Sequence, residues 1–190
     1  FYPNPFLLSL LKNYKNFSFK ISNFDTDIFW TSKNARKEEE NIHSFLWLNL
    51  IDRKNDKSVI QKIITIWIYK NSKYKKIIWD SSIISKRIIS WIINADIILS
   101  KTDNLFKNDF YRTTVIQANH LKKNLIFEND FLKRIEIITA IILVGLVFKE
   151  YENFYLEGSR DLESLVKDYF DKDGFPLNRN PSHLLITCKY

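Results

Sequence analysis

The sequence predicts an all-α protein, and three observations carry that prediction. From about residue 38 onward the apolar residues recur at helical spacing. Turn-formers are scarce, with 3 glycines and 4 prolines in 190 residues, and three of those seven fall in FDKDGFPLNRNPSHLL at 170–185. No stretch beyond residue 40 reads as a convincing strand. Helical hairpins joined by short turns fit this pattern, and the length suits one domain with a substantial core.

Residues 1–37 read as an irregular entry segment, in which Phe17, Phe19 and Ile21 alternate as extended chain does. The first helix is expected over 38–53, where Ile42, Phe45, Leu46 and Leu50 make one stripe and Arg53, Lys54 and Asn55 mark the end. Asp56 caps a second helix carrying Val59, Ile63 and Trp67, with Ile60 and Ile64 beside them, and Asn71 closes it. A third, over 81–98, takes its N-cap oxygen from Asp80, Ser81 or Ser82 and places Ile84, Ile88, Trp91, Ile92 and Ala95 on one side. Arg87 falls inside that apolar stripe.

A fourth helix, 105–124, is amphipathic through Phe110, Val115, Ala118 and Leu121. The fifth, 129–149, follows the cap candidate Asn129. Its run IITAIILVGLVF is shorter than the ~20 apolar residues a bilayer needs, and Arg134, Glu136, Lys149 and Glu150 flank it, so a buried core helix is expected. The sixth, 160–171, shows Leu162, Leu165, Val166 and Tyr169 in register, with Asp161 near its positive end. Asp173-Gly174 then breaks the chain. Asn180 and Pro181 read as N-cap and first residue of a seventh helix, inside which the chain stops.

Composition narrows the function classes. A 45% hydrophobic content excludes a disordered chain. One cysteine, Cys188, excludes an internal disulfide, and with only His43, His120 and His183 beside it no metal or cofactor site is expected. The net charge of +7 favours anionic partners, but the lysines are scattered as in an AT-rich coding sequence, with no dense block of the kind nucleic-acid binding uses. The chain begins at Phe1 and contains no methionine, which predicts a piece of a longer polypeptide.

Three landmarks carry a resemblance. FLWLNL at 45–50 is a leucine-rich, aromatic opening segment. Trp79 is followed by SKRIISW, with Ser85, Arg87 and Trp91 in an S-x-R, x3, W pattern. DKDGFPLNRNPSHLL then holds Asp173, Gly174, Arg179, Asn180 and Pro181 as an acidic-glycine loop turning into a helix. In this order and spacing, over residues 43–185, the chain resembles the N-terminal helical domain of the heparinase II/III-like polysaccharide lyases. The resemblance implies part of an incomplete (α/α) toroid, with the β-sandwich domain of the full protein absent. It implies β-elimination on an acidic, uronic-acid-containing polysaccharide such as a glycosaminoglycan, with that β domain and the polysaccharide as partners. It also implies a bacterial periplasmic or cell-envelope location, with the cytoplasm as the alternative.

That chemistry needs a donor to neutralise the sugar carboxylate, a base for the C5 proton and an acid for the leaving oxygen. The resemblance puts His183 where the family has the tyrosine that serves as base or acid, and an imidazole can make the same proton transfer near neutral pH. It puts Leu132, Lys133 and Glu136 where the family has Asn, His and Glu, so Lys133 is left as the cation for a carboxylate and Glu136 as the surviving acid. Asn180 lies in the loop as a substrate contact, and Arg179 beside it either braces backbone carbonyls or meets a substrate carboxylate. Arg87 either meets an anionic sugar or forms a buried ion pair, with Glu136 as the expected partner. Trp67, Trp79 and Trp91 either fill the core or stack sugars. A non-catalytic helical module binding acidic glycans or other anionic partners is the alternative to the lyase.

Overall fold

A computed structural model of the chain describes residues 36–50 and 57–190. Among these residues the regular structure is helical: α1 Arg36–His43, a 3₁₀ turn Leu46–Leu50, α2 Lys57–Asn71, α3 Ser81–Ile93, α4 Ala95–Ile98 and α5 Asn104–Asn124. These are followed by a 3₁₀ turn Leu125–Phe127, α6 Phe131–Val147, a 3₁₀ turn Lys149–Tyr151, α7 Glu152–Tyr169 and α8 Pro181–Thr187. The expected entry segment lies outside the described residues except for Arg36 and Lys37, which already belong to α1. The expected cap Asp56 and the terminators Arg53, Lys54 and Asn55 lie outside them too.

α3 is the organising element. Its isoleucines have only moderate helix propensity, so packing must hold it. It is buried on nearly every side, through Ile83, Ile84, Ser85, Arg87, Ile88, Ile89, Ser90, Trp91 and Ile92. Asp80 supplies its cap, accepting from the Ser82 amide at 3.0 Å. Two apolar clusters meet across it. Ile84, Ile88 and Ile92 pack with Ala118 and Leu121 of α5 and with Ile138, Ile141 and Val144 of α6. Trp91 packs with Phe45, Leu48, Ile60, Ile63, Trp67, Ile97 and Phe110.

The helix expected over 38–53 is interrupted. α1 stops at His43, and Phe45 takes a left-handed φ of 57° with its ring fully buried. A left-handed non-glycine residue costs about 1–2 kcal/mol. Burial of the ring offsets this, and so does a polar seam on α3: Arg87 donates to the His43 carbonyl at 2.9 Å, Ser90 to the Phe45 carbonyl at 2.6 Å and Asn94 to Asn49 Oδ1 at 2.9 Å. Residues 87, 90 and 94 follow one face of α3 onto its C-cap, so a single stripe satisfies a buried non-helical segment.

Three other boundaries differ from expectation. The third helix ends at Ile93 and is followed by the short α4, with Asn94 at the junction. The fifth is capped by Asp130 rather than Asn129, through a 2.9 Å bond from the Lys133 amide. The sixth starts at Glu152, eight residues earlier than 160, because Gly158 interrupts the apolar stripe while fitting the packing. A Cβ on Gly158 would come 2.8 Å from Ile142 Cγ1, and one on Gly145 would collide with the Tyr155 backbone. The two glycines let α6 and α7 lie close together. Among the described residues, no helix is long and apolar enough to cross a membrane.

Candidate functional site

The turn-formers at 170–180 build a braced hairpin between α7 and α8. Phe170 and Pro176 form an antiparallel bridge, with the Asp171 amide donating to the Phe175 carbonyl and the Leu177 amide to the Tyr169 carbonyl, both at 2.9 Å. Gly174 turns the tip at φ 80°, a conformation that disfavours side chains. Asp171 is the brace. Its Oδ1 accepts from the Phe175 amide at 2.9 Å and the Asp173 amide at 3.0 Å, while Oδ2 meets Arg179 Nη1 at 2.7 Å. The Phe175 amide, with further help from Asp173 and Arg179, holds the Asp171 carboxyl below the usual range.

Arg179 has φ 55°, the third left-handed non-glycine among the described residues, and its side chain is 68% exposed. The turn it makes sets Asn178 against Tyr169 and His183 and leaves Asn180 to cap α8, accepting from the Ser182 amide at 3.0 Å with Pro181 at the first helical position. Asn178 Nδ2 then lies 2.7 Å from Tyr169 Oη and 3.1 Å from His183 Nδ1, and the Tyr169 hydroxyl also bonds His183 Nδ1. The Tyr169 and His183 rings run nearly parallel, 11° apart, and Phe131 stacks on the Tyr169 ring. Burial and the nearby Asp130 charge raise the Tyr169 pKa, and the Asn178 bond partly opposes this.

Of the residues expected at a site, the fold therefore brings together His183, Arg179 and Asn180, and it adds Tyr169, Asn178 and Asp171. Sequence reasoning missed those three. Tyr169 counted there as a member of an apolar stripe, and the only signal for Asn178 was the asparagine-rich turn NRN.

The other candidates lie elsewhere. Arg87 is fully buried, with Nε on Gln117 Oε1 at 2.7 Å, Nη1 on the His43 carbonyl and Nη2 on the Ile78 carbonyl at 3.1 Å, and the guanidinium 4.3 Å from the Trp67 ring. It does not pair with Glu136, and it cannot reach a ligand from inside the core. Burial pushes its pKa down to about 9, so it remains a cation at neutral pH.

Glu136 belongs instead to a seam that ties down the end of the chain. It accepts from Ser82 Oγ and Tyr190 Oη, both at 2.6 Å, with Lys86 Nζ 3.7 Å away. Lys133 is exposed and 3.9 Å from Glu128. Trp67 and Trp91 are fully inaccessible and Trp79 is 8% exposed, so all three fill core rather than stack sugars.

Open grooves lie between helices among the described residues. One, of about 670 Å³, runs between α2 and the start of α5, lined by Lys62, Thr65, Tyr69, Lys101, Asp103 and Asp109. Another, of about 650 Å³, lies against the hairpin between Val166 and Phe170 on one side and Leu184 and Thr187 on the other, with Asp171, Lys172 and Gly174 at its edge. The second shares Asp171 with the braced hairpin, and the ends of α7 and α8 that flank the hairpin carry the phenol of Tyr169 and the imidazole of His183. Among the described residues no group of three or more His, Cys, Asp or Glu side chains could hold a metal ion.

No family model, curated protein or solved structure matches the chain. The arrangement can hold an anionic oxygen ligand, with Arg179 as cation and His183 as hydrogen-bonding group.

Proposed function

We propose that this chain is the N-terminal helical part of a heparinase II/III-like lyase, built as part of an incomplete (α/α) toroid, that cleaves uronic-acid-containing polysaccharide by β-elimination together with a C-terminal β domain. The supporting observation is the His183–Tyr169–Asn178 cluster beside Arg179, in the loop that the resemblance assigns to the substrate cleft. In β-elimination a base takes the C5 proton, the C4–O bond breaks and a C4=C5 double bond forms. Charge gathers on the C5 carboxylate as the proton leaves, so fixed donors there lower the barrier. Arg179 supplies such a donor once its fork turns from Asp171 to the sugar. In this reading the β domain completes the cleft, so activity belongs to the full-length protein, in the periplasm or cell envelope or, alternatively, the cytoplasm.

A second reading, a non-catalytic module for acidic glycans, is favoured by one observation. Both oxygens of Glu136 are engaged by Ser82 and Tyr190, which leaves the family's Asn, His and Glu positions without a free acid. The full-length protein, incubated with uronic-acid polymers and followed by the ultraviolet absorbance of unsaturated ends, separates the two. The lyase reading expects product from wild type and a large loss in His183→Ala. Polymer binding with no unsaturated product supports the binding module and rejects the lyase.

A further inference from the structure

The orientation of the Asn178 amide can be assigned from its partners. Asn178 Oδ1 lies 3.1 Å from the Asn180 backbone nitrogen, an obligate donor, so the oxygen must face Asn180. Nδ2, which can only donate, is therefore the end that meets Tyr169 Oη and His183 Nδ1. A nitrogen that receives an N–H carries no proton of its own, so the Tyr169 hydroxyl beside it also donates to Nδ1. A neutral imidazole has a single N–H, and with Nδ1 as acceptor that proton sits on Nε2. Among the described residues no group bonds Nε2, and the ring is half-buried.

We propose that Asn178 is a positioning residue that fixes His183 as an Nε2–H donor, and that this donor, with Arg179, holds a carboxylate oxygen of the ligand. The tautomer follows from the loop itself, and only the ligand's identity as a uronate rests on the lyase reading. In that reaction His183 transfers no proton. It strengthens its hydrogen bond as charge builds on the carboxylate, the task the resemblance gives to positions 132 and 133, and the base comes from another part of the protein. The left-handed Arg179 explains the loop's shape, because that turn brings the Asn180 amide back onto Asn178.

Imidazole ¹⁵N shifts of His183 test the tautomer directly. Wild type is expected in the Nε2–H form. Asn178→Asp puts an acceptor against Nδ1 and is expected to move the ring to an Nδ1–H majority, while Tyr169→Phe weakens the preference without reversing it. Titration with glucuronate should shift the Nε2 resonance in wild type and much less in Asn178→Asp. An Nδ1–H wild type overturns the proposal, and so does a tautomer indifferent to Asn178→Asp in a variant whose amide spectrum shows it folded. An Nε2 resonance that ignores glucuronate overturns the ligand half. Failure of the polymer assay with the tautomer and the glucuronate shift intact removes the lyase reading and leaves this one standing.

Discussion

Arg87 Nε donates to Gln117 Oε1 at 2.7 Å, and this neutral amide rather than a carboxylate anchors a guanidinium at the centre of the fold. Truncating Arg87 opens a cavity and strands the carbonyls of His43 and Ile78 together with Gln117. Arg87→Ala is expected to cost about 3–5 kcal/mol in urea denaturation. Arg87→Lys should cost nearly as much, because one ammonium cannot span three acceptors set for a planar fork. A variant of ordinary stability that loses only ligand binding would return Arg87 to the substrate.

Gly145 and Gly158 face the same helix pair but predict different penalties. A methyl on Gly145 meets the Tyr155 backbone, which cannot move without shifting α7, whereas one on Gly158 meets the Ile142 side chain, which can change rotamer. Gly145→Ala is expected to lose about 3 kcal/mol by overpacking. Gly158→Ala should lose about 1 or less, since the gain in helix propensity offsets part of the clash. Thermal unfolding of the two variants side by side checks the contrast.

What the sequence made legible here was local. Asp80, Asn180 and Pro181 act through backbone groups two or three residues away, so their roles as caps and first turn could be read directly. The left-handed Phe45 could not, because Ser90 sets it from 45 residues downstream. The expected Arg87–Glu136 pair fails for a geometric reason. Neighbouring helix positions point about 100° apart, so Lys86 faces Glu136 on α6 while Arg87 faces the 43–49 segment and α5. Tyr169 escaped notice because a tyrosine in an apolar stripe reads as core, and its hydroxyl finds its partners only after the hairpin folds back.

His43 links stability to pH. Its Nδ1 accepts from Trp67 Nε1 at 2.9 Å, and burial, then Arg87 and Lys75, push its pKa from 6.5 down to about 4. The unfolded chain takes up a proton below pH 6.5 and the folded one only near pH 4, so stability is full above 6.5 and falls between the two. The loss across that window is on the order of 3 kcal/mol. Urea unfolding of wild type at several pH values should show it, and His43→Gln should flatten the slope.

Arg179 separates backbone strain from charge. Glycine tolerates φ 55° without penalty, so Arg179→Gly should keep the hairpin closed while removing the Asp171 contact, whereas Arg179→Val, β-branched, should open it. Hydrogen exchange at the Gly174 and Asn180 amides reports the turn. Protection retained in Arg179→Gly and lost in Arg179→Val is the expected result. Equal loss in both would mean that the ion pair, rather than the backbone, holds the loop.

Glu136 is where the family resemblance and the geometry part most clearly. Its side chain is 12% exposed, both oxygens accept hydroxyls, and those hydroxyls come from α3's first turn and from Tyr190 just beyond α8. Such a group works as a latch for the end of the chain. Glu136→Ala removes the acceptor of the Ser82 and Tyr190 hydroxyls and is expected to cost about 1–2 kcal/mol, with the loss concentrated in hydrogen exchange of residues 181–187 and little change in α3. Glu136→Gln keeps an acceptor oxygen for one hydroxyl and should retain most of that protection. Because α8 carries His183, releasing the latch should also blur the Nε2–H tautomer, coupling a residue outside the loop to the geometry inside it. Protection of α8 unchanged in Glu136→Ala would show that Tyr190 and Ser82 contribute nothing to holding that helix.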